Sequence, residues 1–299
     1  MEFTNENIAQ LLSNAIQNKR IKVFYQPKFE SLSCTLVGAE ALARWLDDDG
    51  TIIQPSQFIP PLEETEKIID LDWYVLEETC ILLHKNIELG IPVVTISVNF
   101  SRFHIREPFF IEKLNSIVNK YGLSRSLIEV EITESAMNHH KNNIIEFISN
   151  IRNEGYSVSI DDFGSGYSSL SFLKDVPANI LKIDKSLLSS NCKNKKERIV
   201  LESVFNFAHR LKLTTVAEGV ETKEQLGFLR TCDCNISQGF IFAKPLEEEI
   251  FTELCMTVET IRNTEDFIRI LSKATTNNMI MDAIYSTFPL IILFVVAFD

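Results

Sequence analysis

Strand-length apolar runs alternate with stretches of helical periodicity through most of this 299-residue chain. That alternation restricts the fold more than any other feature, because parallel strands need crossover connections and helices supply them. The first strands stand apart: after a short helix over residues 6–20, Ile21 to Pro27 reads as a strand ending at proline, and Cys34 to Ala41 as a second. Helical periodicity over Asp70–Leu89 then leads to the strand Val93–Val98, Pro108–Tyr121 to Leu127–Ile132, and Asn142–Asn153 to Tyr156–Ile160. A short helix at Ser168–Leu173, the strand Ile180–Ile183, a helix at Lys195–Leu211, the strand Thr214–Ala217, a helix at Lys223–Thr231 and a strand at Asn235–Phe242 complete the series. This many units over roughly 240 residues suit a closed α/β barrel with right-handed crossovers better than a small open sheet.

In such barrels the chemistry collects at the C-terminal ends of the strands. Asp161 and Asp162 end one strand and open Phe163-Gly-Ser-Gly-Tyr-Ser-Ser169, so two adjacent carboxylates stand where a strand gives way to a glycine-rich loop. Glu40, Asn99, Glu131, Lys182 and Glu218 stand at or near the ends of other strands. Hard oxygen ligands gathered in this way suit a divalent cation, and together they point to a metal-assisted hydrolase. Taken singly, each residue has a plainer reading. A lone acid at a strand end is most often solvated or a helix N-cap, Lys182 and Arg44 alone read as surface charges, and Asp161-Asp162 alone could be a turn.

Composition narrows the setting. The formal net charge of -12, from 41 acidic and 29 basic residues, argues against DNA, RNA or anionic membranes as partners. An anionic substrate would need local cations or metal. Cys34, Cys80, Cys192, Cys232, Cys234 and Cys255 lack paired zinc-ribbon spacing, and Cys232-Asp-Cys234 reads as ordinary thiols. His139-His140, with no third ligand, reads as solvated, while Trp45, Trp73 and most phenylalanines read as core. The acidic, polar start Met1-Glu-Phe-Thr-Asn-Glu is no signal peptide, so a reducing cytoplasm is expected. The apolar run Phe288–Phe298 is shorter than the ~18 residues of a membrane span, and a packed segment or protein contact is favoured over a membrane anchor there.

Seven blocks make the pattern specific: Glu40-Ala-Leu42 with Ala43-Arg44-Trp45, Asn99 in Val-Asn-Phe-Ser101, Glu131-Ile-Thr-Glu134, Asp161 to Ser169, Lys182-Ile-Asp184, Ala217-Glu-Gly-Val-Glu221, and Gln238-Gly239 with Lys244-Pro245. In this order they resemble the EAL domain, the bacterial cyclic di-GMP phosphodiesterase family. The resemblance covers about residues 15–250, leaving 1–14 as a lead-in and 251–299 as a helical, apolar tail. It implies a modified TIM-type (β/α)8 barrel with an antiparallel first strand, hydrolysis of cyclic di-GMP to linear pGpG with two Mg²⁺ or Mn²⁺ ions, lowered cyclic di-GMP favouring motility over biofilm formation, and a homodimer. Glu40, Asn99, Glu131 and Asp161 would bind one ion, and Asp161 would bridge to a second with Asp162 and, through water, Glu218. Lys182 would position the nucleophile, and Gln26, Arg44 and Gln238 would contact substrate. Glu134, Asp184 and Glu221 would hold the site and its glycine-rich loop in place. Ser165 stands where the family more often has Thr. A catalytically silent cyclic di-GMP receptor and a protein-interaction module are the alternatives, and intact ligand positions weigh against both. With no partner domain in view, a stand-alone enzyme is expected.

Overall fold

The computed structural model describes residues 3–134, 136, 141–165, 173–188 and 194–257. Helix α1 (Ile8–Gln17) leads into the hairpin β1 (Ile21–Glu30) and β2 (Leu36–Leu46), with a small strand β3 (Ile52–Ile53) folded back on β2. There follow α2 (Pro55–Glu64), α3 (Ile68–Glu88), β4 (Thr95–Asn99), α4 (Phe110–Lys120), β5 (Ile128–Thr133), α5 (Lys141–Asn153) and β6 (Ser157–Phe163). Then come β7 (Ile180–Ile183), α6 (Lys195–Arg210), β8 (Thr214–Ala217), α7 (Lys223–Thr231) and β9 (Ile236–Ser237). Helical residues 248–257 end the described chain. The short helix expected at Ser168–Leu173, the pair His139-His140, Cys192 and the apolar run Phe288–Phe298 lie largely or wholly outside the described residues.

The expected barrel forms. Strands β2, β4, β5, β6, β7, β8 and β9 pair in parallel in that order, and β1 closes the circuit antiparallel to both β2 and β9. Among the described residues this makes an eight-stranded α/β barrel of the TIM type with a reversed first strand. Helices cover its outer face with Leu76, Cys80, Leu83, Leu114, Ile144, Ile148 and Phe205, all buried. Trp45 and Trp73 are core as their composition suggests, Trp45 against Phe58 with ring centroids 5.4 Å apart. Among the described residues, no helix is long and apolar enough to cross a membrane.

Three differences from the sequence reading have physical reasons. First, β1 does not stop at Pro27. Tyr25 exchanges both backbone hydrogen bonds with Leu246 on the edge away from β2, and alternation turns the nitrogen of Pro27 to that same edge. There it falls between the Leu246 bridge and the β9 pairing at Phe29, so its missing N–H breaks no ladder bond. Second, α2 carries Pro60 and Pro61 inside a helix of 10 residues, and those prolines hid it. Burial of Phe58 and Leu62 against the barrel holds it regardless. Third, the run Asn235–Phe242 pairs only at Ile236–Ser237, because the chain then turns to pass Val220.

Gly239 makes that passage possible. A Cβ there would lie 2.2 Å from both the N and the O of Val220, backbone atoms that cannot swing aside. Gly239→Ala is expected to lower unfolding stability by about 3 kcal/mol, read from denaturant midpoints, since overpacking against backbone relaxes poorly.

Candidate active site

One end of the barrel, where the parallel strands finish, carries the polar cluster. Glu40 comes from β2, Asn99 from β4, Glu131 from β5, Asp161 and Asp162 from β6, Lys182 from β7, and Glu218 from the residue after β8. Adjacent residues on a strand ordinarily face opposite sides, so two neighbouring carboxylates cannot share a site without a distortion. The pairing of β6 with β7 shifts register between Ile160 and Phe163, and Asp162 takes a left-handed φ of 58°. That bulge turns both carboxylates toward the mouth. The Oδ1 of Asp161 accepts the Asp162 backbone N–H at 2.9 Å.

Lys182 is fully buried at the centre. Its Nζ lies 2.7 Å from Glu131 Oε2, 2.7 Å from Glu218 Oε1, 2.9 Å from Asp161 Oδ1 and 3.4 Å from Glu40 Oε2. Burial would lower its pKa, but the four carboxylates hold it well above the ordinary lysine range. Those acids respond unequally. Burial pushes the carboxyls of Glu40, Asp161 and Asp162 up, and Glu218 is pushed up to about 8. Burial acts on Glu131 in the same sense, yet the ammoniums of Lys182 and Lys28 hold it down at about 2.

The surrounding polar groups orient these acids. Glu40 accepts from Asn99 Nδ2 at 2.9 Å and from Gln238 Nε2 at 2.8 Å, and Gln238 also donates to Gln26 Oε1 at 3.1 Å. Bonding through Nδ2 leaves the carbonyl oxygen of Asn99 as its acceptor atom for other contacts. Arg44 is half-buried at the mouth, with its guanidinium carbon 5.7 Å from the Phe24 ring centroid. Beside Arg44 and Asn99 lies a cavity of about 270 Å³ whose apolar wall comes from Pro55, Ile59, Ile68, Leu71, Val75 and Phe100. The hidden helix α2 thus supplies part of the mouth.

The second tier is also in place. Glu134 accepts the Gly164 backbone N–H at 2.7 Å, at the entry to the glycine-rich loop. Gly164 has φ 100°, and a Cβ there would meet Leu187 at 2.3 Å, so glycine is required. Asp184 caps the turn Lys185–Leu187 through Ser186 N–H and faces Asp162 electrostatically. Glu221 is exposed, with its backbone N–H on Gln225, and loop residues 166–172, where its expected influence falls, lie outside the described residues. Sequence reasoning missed Lys28, Glu129 and Ser97, which lie buried beneath the site. It also missed His104, whose Nε2 is 3.1 Å from an Asp72 carboxylate that accepts the Ser101 N–H just past Asn99.

The donor set fits divalent cations. Ligand atoms of Glu40, Glu131 and Asp161 lie within 4.8 Å of one another, as do those of Asp161, Asp162 and Glu218, so two oxygen triads share Asp161. The Lys182 ammonium occupies the space among them as a cation would. The sequence model of the EAL domain matches residues 9–245, which is most of the chain. The chain belongs to the EAL domain family. It is 38% identical over 238 residues to the oxygen sensor protein DosP of Escherichia coli, covering 80% of this chain and 30% of that protein. To the cyclic di-GMP phosphodiesterase NbdA of Pseudomonas aeruginosa it is 31% identical, over 79% of this chain and 30% of the relative. The chain therefore spans about a third of the length of these relatives. Among solved structures, the PaMucR phosphodiesterase in complex with c-di-GMP matches with a TM-score of 0.76 and 30% identity, covering 82% of this chain and 99% of that one.

The raised Glu218 pKa has a consequence for this EAL domain. Its folded value of about 8 exceeds the ordinary 4.5, so the fold favours the neutral acid. The stability it contributes is full below about pH 4.5 and is lost as the pH rises through about 8. Melting temperatures of chelator-treated protein should fall between about pH 5 and about pH 9, and more shallowly in Glu218→Gln. A wild-type profile as shallow as that of the variant would contradict this.

Proposed function

We propose that this EAL domain hydrolyses one phosphodiester bond of cyclic di-GMP to give linear pGpG, with Mg²⁺ or Mn²⁺ as cofactor. The observation that carries the reading is the pair of carboxylate triads sharing Asp161 around a buried lysine. Glu40, Asn99, Glu131 and Asp161 would hold one ion, and Asp161, Asp162 and Glu218 the other. Bound there, the ions would lower the pKa of water and neutralise charge on the phosphoryl oxygens. The protein's own groups do the rest. Arg44 offers a planar fork to phosphate oxygens, which offsets the acidic surroundings. Gln26 and Gln238 line the same side of the mouth and are wired to Glu40, so a substrate contact there is coupled to the orientation of a ligand. Lys182 keeps a positive charge beside the ligand acids, from which it would position the nucleophile, and the apolar cavity beside Arg44 suits the face of a guanine.

The catalytic unit in this proposal is residues 15–250. It works in the cytoplasm as a homodimer and lowers cyclic di-GMP, which favours motility over attachment. Glu134, Asp184 and Glu221 act through the glycine-rich loop. The names and complexes of the relatives support the substrate, since NbdA is named a cyclic di-GMP phosphodiesterase and the PaMucR structure is described as a c-di-GMP complex.

Incubating pure protein with cyclic di-GMP and Mg²⁺ or Mn²⁺, with a chelator control, tests this directly by chromatography of the product. Metal-dependent pGpG is expected. Binding without turnover would replace the enzyme with a silent receptor. Glu40→Ala and Asp161→Ala should each lower turnover by at least about a thousandfold. Both should leave the fold intact or more stable in chelator, because each removes one of several like charges packed together. Near-wild-type turnover by both would sink the ligand assignment. Lys182→Ala should reduce kcat by about a hundredfold with little change in KM. An effect on KM alone would contradict its positioning role.

A further inference from the structure

Beneath the ring of site residues the barrel holds a second polar layer. Two residues along the same strands, and so on the same interior face, stand Lys28 below Gln26, Gly38 below Glu40, Ser97 below Asn99 and Glu129 below Glu131. Barrel interiors at this depth are ordinarily filled by bulky branched apolar side chains. Here an ammonium is buried, which is costly unless every donor is satisfied. Lys28 meets that condition. Its Nζ lies 2.7 Å from Ser97 Oγ, 2.8 Å from Glu131 Oε1 and 3.3 Å from Glu129 Oε1, three acceptors for three N–H donors. Gly38, its partner across the β1–β2 ladder, lies against the stem, and a Cβ there would meet the Thr95 carbonyl at 2.9 Å while making only ordinary contact with the Lys28 chain.

The arrangement divides Glu131 between two lysines. Its Oε1 belongs to Lys28 below, and its Oε2 to Lys182 in the ring above. The terminal sp³–sp² torsion of a glutamate is broad, so a hydrogen bond on each oxygen fixes the carboxylate plane where one alone would not. We propose that Lys28 is a positioning residue for divalent-cation binding. It fixes Oε1 of Glu131 so that Oε2 alone is offered to the ion, and Glu129 serves as its counter-charge. The inference rests on the metal-site reading given above.

Glu129 makes a clean test available. In Lys28→Met/Glu129→Gln one positive and one negative charge are removed together, so the net field on the site is nearly preserved while the bond to Glu131 is lost. Mn²⁺ affinity of the full chain without substrate, measured by electron paramagnetic resonance, should fall about tenfold or more in this variant. Unchanged affinity in a folded double variant overturns the proposal and reduces Lys28 to packing. If the variant does not fold, a crystal structure of the wild-type chain with Mn²⁺ decides. Glu131 Oε1 should remain within hydrogen-bond distance of Lys28, and Glu131 turning both oxygens onto the ion would overturn the proposal. Failure of the wild-type chain to bind Mn²⁺ is a different result, since it removes the metal site itself and the proposal with it.

Discussion

The Lys182 ammonium is the interaction on which this end of the barrel depends. Closing eight strands brings carboxylates from β2, β5 and β6 and from the end of β8 to one point, where their mutual repulsion and the loss of water both oppose folding. A buried cation touching Glu40, Glu131, Asp161 and Glu218 makes the arrangement tolerable. The compensation is incomplete, since burial and the neighbouring Asp161 and Glu40 still push the Glu218 carboxyl up although Lys182 draws it down. A site built this way gains from further positive charge, and that property connects its electrostatics to the chemistry proposed for it.

The reversed first strand is what enriches the interior. Running antiparallel to β2, β1 sets Gln26 opposite Glu40 at the mouth and Lys28 opposite Gly38 one layer down. One strand therefore contributes both a group at the mouth and a group beneath it. The β6 bulge works in the same economy of backbone, since one left-handed residue, Asp162, turns a strand end into a pair of carboxylates facing one way. Outside the barrel, α2 and α3 wall the cavity beside Arg44, and the Asp72–His104 contact fixes the chain just past Asn99.

Much of this was legible in the sequence, for particular reasons. Strands β7 and β8 and helix α7 fall where periodicity places them, because each is bounded by a sharp change of pattern. The site acids were found because they end strands in a barrel, where topology forces convergence. Helix α2 was hidden by Pro60-Pro61, and the length of β2 past Ala41 by the polar-looking Arg44 within it. Lys28 and Glu129 were missed because a lone charge in a strand reads as solvent-facing. A signal was nevertheless present: Gln26 and Lys28, Ser97 and Asn99, and Glu129 and Glu131 repeat polar residues at a spacing of two on three strands, which marks a second polar layer.

The central claim is that these carboxylates form a cation site whose charge is held in check by burial, protons and Lys182. Calorimetric titration of the metal-free protein with Mn²⁺ near pH 7, in buffers of different ionisation enthalpy, tests it most directly. Two bound ions per chain with net release of protons are predicted, because burial pushes the carboxyls of Glu40, Asp161, Asp162 and Glu218 up and a cation bound among them favours their ionised forms. Binding without proton release, or no binding at all, would contradict the account.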